Sequence, residues 1–382
     1  MSSKYIKSDH IKLYKRENSK YWQMKIKLPK QRAIRLSTGT KTIKEAEQLA
    51  LKNYLTLVKK KNIQIKNTTR NVYKKIHLVE TAELKKKEIE FILDEAIKFI
   101  SFNKKKIKKN CLLEGRTIFN LFFEDSTRTR TSFEVAAKRL SADIINVAVK
   151  DSSINKGETL LDTMTTINSM NPDVLIIRHP EEGISKRISM SVDACVINAG
   201  DGSHEHPTQA LLDALTIKNR FKKFSKLQIA ICGDILHSRV ARSNIIILSK
   251  LGAKINVIGP QKWLPKNINS LPVKIFTDMK KGLKNCDIVM MLRIQKERIF
   301  DKNMPNKDTY FKKYGLDYDK LKYAKKNAFV MHPGPMNRGV EINSKLADDI
   351  TRSLIQEQVA MGVAIRMACL DILIRNKDNV IR

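Results

Sequence analysis

The sequence has few cysteines and no long apolar run. No Cys-x-x-Cys pair occurs, which argues against a disulfide framework or a zinc ribbon and favours a reducing compartment. No apolar stretch approaches the ~18 residues that a bilayer span needs, and residues 1–10 lack the apolar core of a signal peptide. We therefore expect a soluble cytoplasmic protein with no membrane role. The five cysteines are Cys111, Cys195, Cys232, Cys286 and Cys369.

Acidic residues are scarce beside basic ones. The 382 residues include 73 Lys and Arg but only 39 Asp and Glu, which gives a formal charge of +34. Residues 1–75 hold 21 of the basic residues and 4 of the acidic ones, so a fifth of the chain carries half of the excess. This charge favours acidic or phosphorylated partners, but a codon bias toward A and T would also produce much of it.

The basic N-terminal extension, residues 1–61, predicts a small β-hairpin followed by a helix. Residues 21–28 and 32–36 alternate polar side chains with apolar or aromatic ones, and Pro29 separates the two runs. Residues 62–75 are polar and have no clear period, which indicates a linker. Thr42, with Glu45 three residues later, is typical of a helix N-cap, and apolar residues follow at helical spacing: Ala46, Leu49, Ala50, Tyr54 and Leu57.

Beyond residue 75, short apolar runs alternate with helical patterns. Runs rich in Val, Ile, Leu and Met are typical of strands buried on both faces of a parallel sheet. Roughly 300 residues of this pattern predict an α/β fold with two doubly wound parallel-sheet domains around a cleft. The predicted strands are 173–177, 194–198, 227–232, 254–258, 286–292 and 327–331. Two predicted helices carry Phe133, Ala136, Ala137 and Leu140, and Ala241, Ile245, Leu248 and Leu251.

Hydroxyl and arginine side chains gather between an apolar run and a helical pattern, in the stretch from Phe122 to Thr131. The free amides of a helix N-terminus, its dipole and the guanidinium of Arg128 together favour a bound phosphate. An ordinary cap with solvated arginines is the simpler alternative. Four hydroxyl residues interleaved with two arginines exceed what a cap requires, so we predict a phosphate site. The hydroxyls belong to Ser126, Thr127, Thr129 and Thr131.

A second strand-to-helix turn carries His206 and Gln209, with Pro207 suited to the first helical position. A pair of surface histidines would be the ordinary interpretation. His204 and His206 could instead bind a metal, as in metal-dependent amidohydrolases such as dihydroorotase. That alternative needs further ligands on later strands, and the later histidines both belong to other motifs. We therefore expect no metal.

Two further arginines follow predicted strands. The stretch from Gly233 to Arg242 follows a buried strand but lacks the Gly-x-Gly-x-x-Gly pattern of a dinucleotide-binding turn, which disfavours an NAD enzyme. Arg239 and Arg293 instead place guanidinium groups at the carboxyl ends of strands, where open α/β sheets bind ligands. Each alone would be an ordinary surface arginine.

Four motifs, taken in order, resemble those of the aspartate and ornithine carbamoyltransferases, and the resemblance covers about residues 76–382. It implies a carbamoyl-phosphate-binding domain at 76–215, completed by a C-terminal helix at 353–382, and an aspartate-binding domain at 216–345. An apolar stripe on that helix is expected to pack on the first domain: Ile355, Val359, Val363 and Met367. The motifs are Ser126-Thr127-Arg128-Thr129-Arg130, Arg178-His179-Pro180, His206-Pro207-Thr208-Gln209 and His332-Pro333-Gly334-Pro335.

The resemblance implies a role for each motif. Carbamoyl phosphate is held through its phosphate by Ser126, Thr127, Arg128 and Thr129. Its carbonyl oxygen accepts hydrogen bonds from Thr129, Arg178 and His206. Its amide is oriented by Gln209 and by the carbonyls of Pro333 and Gly334. No cofactor is implied.

The resemblance implies that the remaining residues bind aspartate or enter the site of a neighbouring subunit. Arg239, Arg293 and Gln295 match residues that position aspartate. Ser152 and Lys156 match residues that reach the phosphate in the neighbouring subunit, and Lys156 also lies near aspartate there. The resemblance therefore implies a homotrimer, and it leaves a regulatory or dihydroorotase partner open.

The motifs favour aspartate over ornithine. The ornithine enzymes place a cysteine in the segment that here runs from His332 to Pro335, and a dicarboxylate substrate calls for fixed cations such as Arg293. The implied reaction transfers the carbamoyl group of carbamoyl phosphate to L-aspartate in de novo pyrimidine (UMP) biosynthesis. An ornithine carbamoyltransferase-type enzyme is the alternative.

Residues 1–61 resemble the N-terminal arm-type DNA-binding domain of phage-type tyrosine recombinases. The resemblance rests on Tyr21-Trp22, the hairpin and the stretch from Arg35 to Thr40. Basic side chains of such a hairpin would contact DNA phosphates or enter a groove: Lys25, Lys27, Arg32 and Arg35. The alternative is a solvated basic extension with no retained role. The catalytic residues of a recombinase do not follow, so a whole-chain recombinase is rejected.

Overall fold

The computed structural model describes residues 3–5, 11–15, 19–26, 33–53, 72–147, 159–266, 268–295 and 306–380. The chain forms two compact units, Met1–Lys74 and Lys75–Arg382. The first unit holds the basic extension, and the second holds all four motifs.

The N-terminal unit is a four-stranded antiparallel sheet with one helix. Its strands β1 (Ser3–Tyr5), β2 (Ile11–Lys15), β3 (Trp22–Ile26) and β4 (Ile34–Ser37) pair in chain order. Helix α1 begins at 43 and is described to 53. Buried side chains of β2 and β3 pack on this helix: Ile11, Leu13, Met24 and Ile26 against Ala46 and Ala50. The predicted hairpin corresponds to β3 and β4, whereas β1 and β2 were not predicted. Tyr54, Leu57, Lys27, Arg32 and 62–71 lie outside the described residues.

The larger unit contains two separate parallel sheets. The first has the order β6-β5-β7-β8 and comprises β5 (Thr117–Phe122), β6 (Asp143–Val147), β7 (Val174–His179) and β8 (Cys195–Asp201). Four helices belong to this part of the chain: α2 (Lys86–Phe102), α3 (Thr127–Arg139), α4 (Leu160–Asn168) and α5 (Ile184–Ser189). The strand order reverses between β5 and β7, and such a reversal opens a crevice at the carboxyl ends of the two strands.

The second sheet has the order β11-β10-β9-β12-β13. Its strands are β9 (Gln228–Cys232), β10 (Lys254–Ile258), β11 (Val273–Phe276), β12 (Ile288–Met291) and β13 (Phe329–Met331). The helices here are α6 (Pro207–Phe221), α7 (Arg239–Leu251), α8 (Met279–Leu283), α9 (Lys307–Tyr314), α10 (Tyr318–Leu321) and α11 (Ser344–Asp348). The order reverses between β9 and β12, which gives a second crevice of the same kind. The predicted pair of parallel-sheet α/β domains is confirmed.

Two helices are buried on nearly every side. Positions 207–217 of α6 are all buried, and so are most positions of α12 (Ile355–Val380) from Met361 onward. Helix α12 packs against α2, α3 and α6. The predicted stripe on α12 was wrong at Val359, which is 60% exposed. Since almost every side chain in the middle of α12 is enclosed, no single apolar stripe marks its packed face. Among the described helices, none combines the length and apolar character that a bilayer span requires.

Candidate active site

A cleft lies where the two crevices of the larger unit meet. The first crevice contributes the residues that follow β5 and β7, and the second contributes those that follow β9 and β12. The cavity measures about 920 Å³. This size is typical of sites for small molecules.

The N-terminus of α3 forms one wall of this cleft. Ser126 is the N-cap residue, but its side chain makes no capping hydrogen bond, so the hydroxyl is not committed to the helix. Thr129 is buried, whereas Thr127 and Arg128 remain exposed to solvent in the cleft. Partial burial and the nearby charge of Arg293 lower the pKa of Arg128. Hydroxyls, helix amides and an arginine therefore meet at one point, as a phosphate site requires.

One carboxylate joins the arginines of the two sheets. Glu124 Oε2 lies 2.6 Å from Arg239 Nη2, which follows β9, and 3.2 Å from Arg178 Nε at the end of β7. Gly200, at φ +119°, makes room for this arrangement, because a Cβ there would lie 3.1 Å from Arg239 Cζ. Glu124 thus holds both guanidinium groups at the base of the cleft. Its role was not predicted, although it stands two residues before Ser126.

His206 occupies the N-cap position of α6, makes no capping hydrogen bond with its side chain and is 4% exposed. Its backbone N–H donates to Ser243 Oγ at 2.9 Å, and its Nδ1 is buried without a hydrogen-bond partner among the described residues. Burial, with the charges of Arg178, Arg239 and Arg366, lowers the pKa of His206 well below its usual value. The imidazole is therefore neutral at physiological pH, so one ring nitrogen carries a proton and can donate, while the other can only accept.

His204 and Gln209, the neighbours of His206 in the sequence, each interact with an aspartate. His204 Nδ1 lies 3.2 Å from Asp201 Oδ2, so this histidine is paired with a carboxylate. Gln209 donates through Nε2 to Asp213 Oδ1 at 3.0 Å. Within the described ranges, no group of three or more His, Cys, Asp or Glu side chains is placed to hold a metal ion.

The opposite wall comes from the segments after β12 and β13. Arg293 Nη2 donates to Gln295 Oε1 at 2.9 Å, and the Gln295 N–H donates to Asp234 Oδ2 at 3.2 Å. After β13, the Gly334 N–H donates to His332 Nδ1 at 2.8 Å. Gly334 has φ +64°, and a Cβ there would lie 3.0 Å from Arg128 Cζ. The main chain of this turn therefore lies directly against the phosphate-site arginine.

The structure brings together every predicted site residue that it describes. These residues line the single cleft: Ser126, Thr127, Arg128, Thr129, Arg178, His206, Gln209, Arg239, Arg293, Gln295, Pro333 and Gly334. Ser152 and Lys156 lie outside the described residues. Five arginines and two carboxylates line the described part of the cleft, which favours an anionic ligand.

Two cleft residues on α12 were not predicted. Arg366 is 4% exposed, donates to Ser132 Oγ at 2.8 Å and has its guanidinium 4.9 Å from the centre of the Phe133 ring. Gln358 accepts the His332 N–H at 2.9 Å. The available signal for Arg366 was a single charge within the apolar run 359–370. Gln358 gave no such signal.

Two family models cover most of the chain. The model of the aspartate/ornithine carbamoyltransferase carbamoyl-phosphate-binding domain matches residues 76–219, and that of the Asp/Orn-binding domain matches residues 225–373. The chain belongs to the aspartate/ornithine carbamoyltransferase family. Neither family model reaches residues 1–75.

Relatives of known sequence lie in the aspartate branch of this family. The chain is 56% identical to the aspartate carbamoyltransferase catalytic subunit of Pelagibacter ubique over 296 residues, which is 78% of this chain and 95% of that one. It is also 56% identical to the catalytic subunit of Parvibaculum lavamentivorans over 303 residues, 79% of this chain and 93% of that one.

Solved structures of the family share the fold. The aspartate transcarbamoylase of Trypanosoma cruzi, in complex with aspartate and phosphate, superposes with a TM-score of 0.69 at 31% identity and covers 78% of this chain and 95% of its own. The ornithine carbamoyltransferase of Pyrococcus furiosus gives a TM-score of 0.68 at 26% identity over 76% of this chain and 95% of its own. The carbamoyltransferase fold is therefore common to both branches, so the fold alone does not determine the substrate.

Proposed function

We propose that the protein transfers the carbamoyl group of carbamoyl phosphate to the amino group of L-aspartate, giving N-carbamoyl-L-aspartate and phosphate. This is a step of de novo pyrimidine (UMP) biosynthesis. One observation carries the proposal: the hydroxyl and arginine cluster at the start of α3 faces, across one cleft, the arginines that follow β9 and β12. A dianionic leaving group and a dicarboxylate acceptor each have cations to bind.

The phosphate is assigned to the first turn of α3. Ser126, Thr127 and Thr129 donate hydroxyl hydrogen bonds, and Arg128 stabilises the charge on the departing phosphate. The helix dipole adds to both effects. No covalent intermediate with the protein is needed, because the acceptor amine attacks the carbonyl carbon directly.

The carbonyl oxygen is assigned to Thr129, Arg178 and His206. In the reaction the neutral amine of aspartate forms the new C–N bond, the C–O bond to phosphate breaks, and the amine proton goes to the released phosphate. Negative charge develops on the carbonyl oxygen on the way, where the three donors stabilise it. The lowered pKa of His206 keeps its imidazole neutral, so it acts as a hydrogen-bond donor throughout.

Aspartate is assigned to Arg239, Arg293 and Gln295. Guanidinium groups bind carboxylates in a bidentate manner, and two such groups on different strands fix the orientation of a dicarboxylate. Holding both substrates in one orientation converts a two-substrate encounter into an oriented approach. The cationic side chain of ornithine would instead be repelled by Arg293, so the site supports the aspartate branch.

The test is a parallel acceptor assay with radiolabelled carbamoyl phosphate. Full-length protein is incubated with L-aspartate or with L-ornithine, and the labelled products are separated. We expect labelled N-carbamoyl-L-aspartate from aspartate and no citrulline above the enzyme-free control from ornithine. Citrulline formation, or no transfer to either acceptor, would overturn the proposal.

We extend the proposal to a homotrimer in which Ser152 and Lys156 enter the neighbouring subunit's site. The support is the resemblance, together with apolar side chains left exposed on the elements before and after residues 148–158 in the sequence: Ile145 on β6 is 44% exposed and Leu161 on α4 is 52% exposed. Mixing inactive Arg128→Ala subunits with inactive Lys156→Ala subunits should restore activity, since some mixed sites receive two intact halves. No recovery after exchange, or a monomeric mass by light scattering, would contradict sharing.

The remaining assignments follow from the same account. The carbamoyl-phosphate-binding domain spans 76–215 and is completed by 353–382, and the aspartate-binding domain spans 216–345. The location is the cytoplasm. A regulatory or dihydroorotase partner would be seen as a co-purifying chain.

A second candidate function concerns the N-terminal unit, which we propose binds DNA. Strand register places Lys12 opposite Lys25, and Lys25 opposite Arg35. Side chains directly opposite each other lie on one face of a sheet, so the three cations form a row across β2, β3 and β4. The other face packs on α1. A row of cations on one face of a sheet is suited to contacts with the phosphates of DNA.

The test compares two triple variants of the full-length protein. Lys12→Gln, Lys25→Gln and Arg35→Gln remove the row, while Lys41→Gln, Lys44→Gln and Lys52→Gln remove equal charge around α1. We expect the first set to lower the slope of log affinity for duplex DNA against log salt by about 3 and the second set to leave it nearly unchanged. Equal effects of the two sets would mean that DNA binding depends on net charge and not on the row. No DNA binding by the wild type would indicate an inert extension.

A further inference from the structure

Asp213 is a fully buried carboxylate on α6 that accepts three hydrogen bonds from side chains. Gln209 Nε2 and Gln358 Nε2 both donate to its Oδ1, at 3.0 and 2.7 Å, and Asn244 Nδ2 donates to its Oδ2 at 2.8 Å. The three donors lie on α6, α12 and α7. Burial raises the pKa of Asp213 to about 6, so an ionised carboxyl here is unfavourable and calls for a reason beyond packing.

The bonds to Oδ1 orient both glutamine amides. Because the NH2 group of Gln209 faces Asp213, its carbonyl oxygen Oε1 is left as the hydrogen-bonding atom for the cleft, which Gln209 lines. The NH2 group of Gln358 also faces Asp213, and its Oε1 accepts the backbone N–H of His332. That bond fixes the main chain directly before Pro333 and Gly334. We call Gln209 Oε1 and the carbonyls of Pro333 and Gly334 the amide clamp. Asp213 Oδ1 thus orients the glutamines on both sides of this clamp.

We propose that Asp213 is the positioning residue that turns the acceptors of the amide clamp toward the NH2 group of carbamoyl phosphate and so selects a carbamoyl donor over an acyl donor. This inference rests on the proposed function, since it assumes that the clamp holds the carbamoyl amide. A site built from buried acceptors discriminates strongly against an analogue without N–H groups, because its acceptors are then left unpaired. Acetyl phosphate is such an analogue, with a methyl group where carbamoyl phosphate has NH2.

The alternative is that Asp213 only ties three helices together. Oδ2 and Asn244 offer a matched control, because this bond joins α6 to α7 but does not touch the amide clamp. If Asp213 only holds the helices together, loss of the Asn244 bond and loss of the bonds to Oδ1 should have similar effects. Orientation of the clamp would be lost only when Oδ1 is removed.

The experiment measures kcat/KM for carbamoyl phosphate and for acetyl phosphate, with aspartate as acceptor. Asp213→Leu removes both oxygens, Asp213→Asn keeps one oxygen that can accept from both glutamines, and Asn244→Ala is the control. We expect Asp213→Leu to lower the carbamoyl-to-acetyl ratio by about 10- to 100-fold. Asp213→Asn and Asn244→Ala should keep the ratio within about threefold of wild type, since Oδ1 or its equivalent still serves the clamp.

Folding is monitored by thermal melting and by the affinity for inorganic phosphate. Should Asp213→Leu not fold, Gln358→Met, which breaks the bond to His332 but leaves Gln209 paired, decides the question by the same ratio. An unchanged ratio in the folded variant, or an equal fall in Asn244→Ala, would overturn the inference. Absence of transfer from carbamoyl phosphate to aspartate in the wild type would instead overturn the proposed function.

Discussion

His332 offers a test of the electrostatics of the cleft that needs no substrate. Burial, with the charges of Arg128 and Arg293, lowers the pKa of His332 to about 3, and its Nδ1 accepts the N–H of Gly334 at 2.8 Å. Asparagine can make the same bond to the N–H two residues on, because that geometry is an Asx turn. His332→Asn therefore removes a titrating group and keeps the local hydrogen bond.

The expected magnitude follows from proton binding in the two states. A folded-state pKa below the unfolded value means that the unfolded chain binds the proton more tightly. The stabilisation is therefore present above pH ~6.5 and is lost as the pH falls toward the folded pKa. Between pH 7 and pH 5 an unfolded histidine takes up most of a proton while His332 takes up none. The free energy of unfolding of the wild type should therefore fall by about 2 kcal/mol relative to that of His332→Asn between pH 7 and pH 5.

The assay is urea-induced unfolding of both proteins at pH 7 and pH 5, at one protein concentration. His204→Asn is the matched control, since hydrogen bonding to Asp201 raises the pKa of His204. A raised folded-state pKa contributes stability that is present below the unfolded pKa and is lost as the pH rises. The free energy of unfolding of the wild type should thus rise relative to that of His204→Asn as the pH falls from 7 to 5. A pH-independent difference between the wild type and His332→Asn would refute the reasoning.

Three changes in the walls of the cleft, one of them with a control at Gly339, give further predictions. Gly334→Ala and Gly339→Ala both place a side chain at positive φ, +64° and +75°. Each should lower the free energy of unfolding in urea by about 1–2 kcal/mol. Only Gly334→Ala should lower kcat/KM, since a Cβ at Gly339 meets nothing within 4 Å. Equal kinetics for the two variants would contradict contact with Arg128. Glu124→Gln should raise the KM for aspartate about tenfold, because Arg239 and Arg178 lose the charge that holds them; an unchanged KM would count against that role. His206→Ala should lower kcat by about 10²–10³, as loss of one oxyanion donor does, and a normal kcat would remove His206 from the mechanism.

The sequence was most informative where a strand runs into a helix. The residues at these turns could be predicted because apolar runs and helical spacing identify the junction, and parallel sheets bring the carboxyl ends of their strands together. Ser126 to Thr129, His206 and Arg239 were found in this way. Pro207 stands at the first position of α6, as its fixed backbone angle predicts.

Edge strands and contacts between distant segments were not predictable. Strand β6 is short and largely exposed, and β11 has only partial burial, so neither shows the apolar run of a central strand. Arg366 reaches the cleft only because α12 packs on α3, far away in sequence. Glu124 acquires its role from two arginines on separate sheets. Such roles depend on packing, which local patterns do not encode.

The central claim is that the first turn of α3 binds the phosphate that leaves in carbamoyl transfer. Arg128 and Arg130 are two residues apart on this helix, and both are exposed, but only Arg128 lines the cleft. The decisive measurement is kcat for carbamoyl transfer to aspartate in Arg128→Ala and in Arg130→Ala. We expect a fall of about 10²–10³ for Arg128→Ala and a change within about twofold for Arg130→Ala. Near-normal turnover in Arg128→Ala would contradict the account.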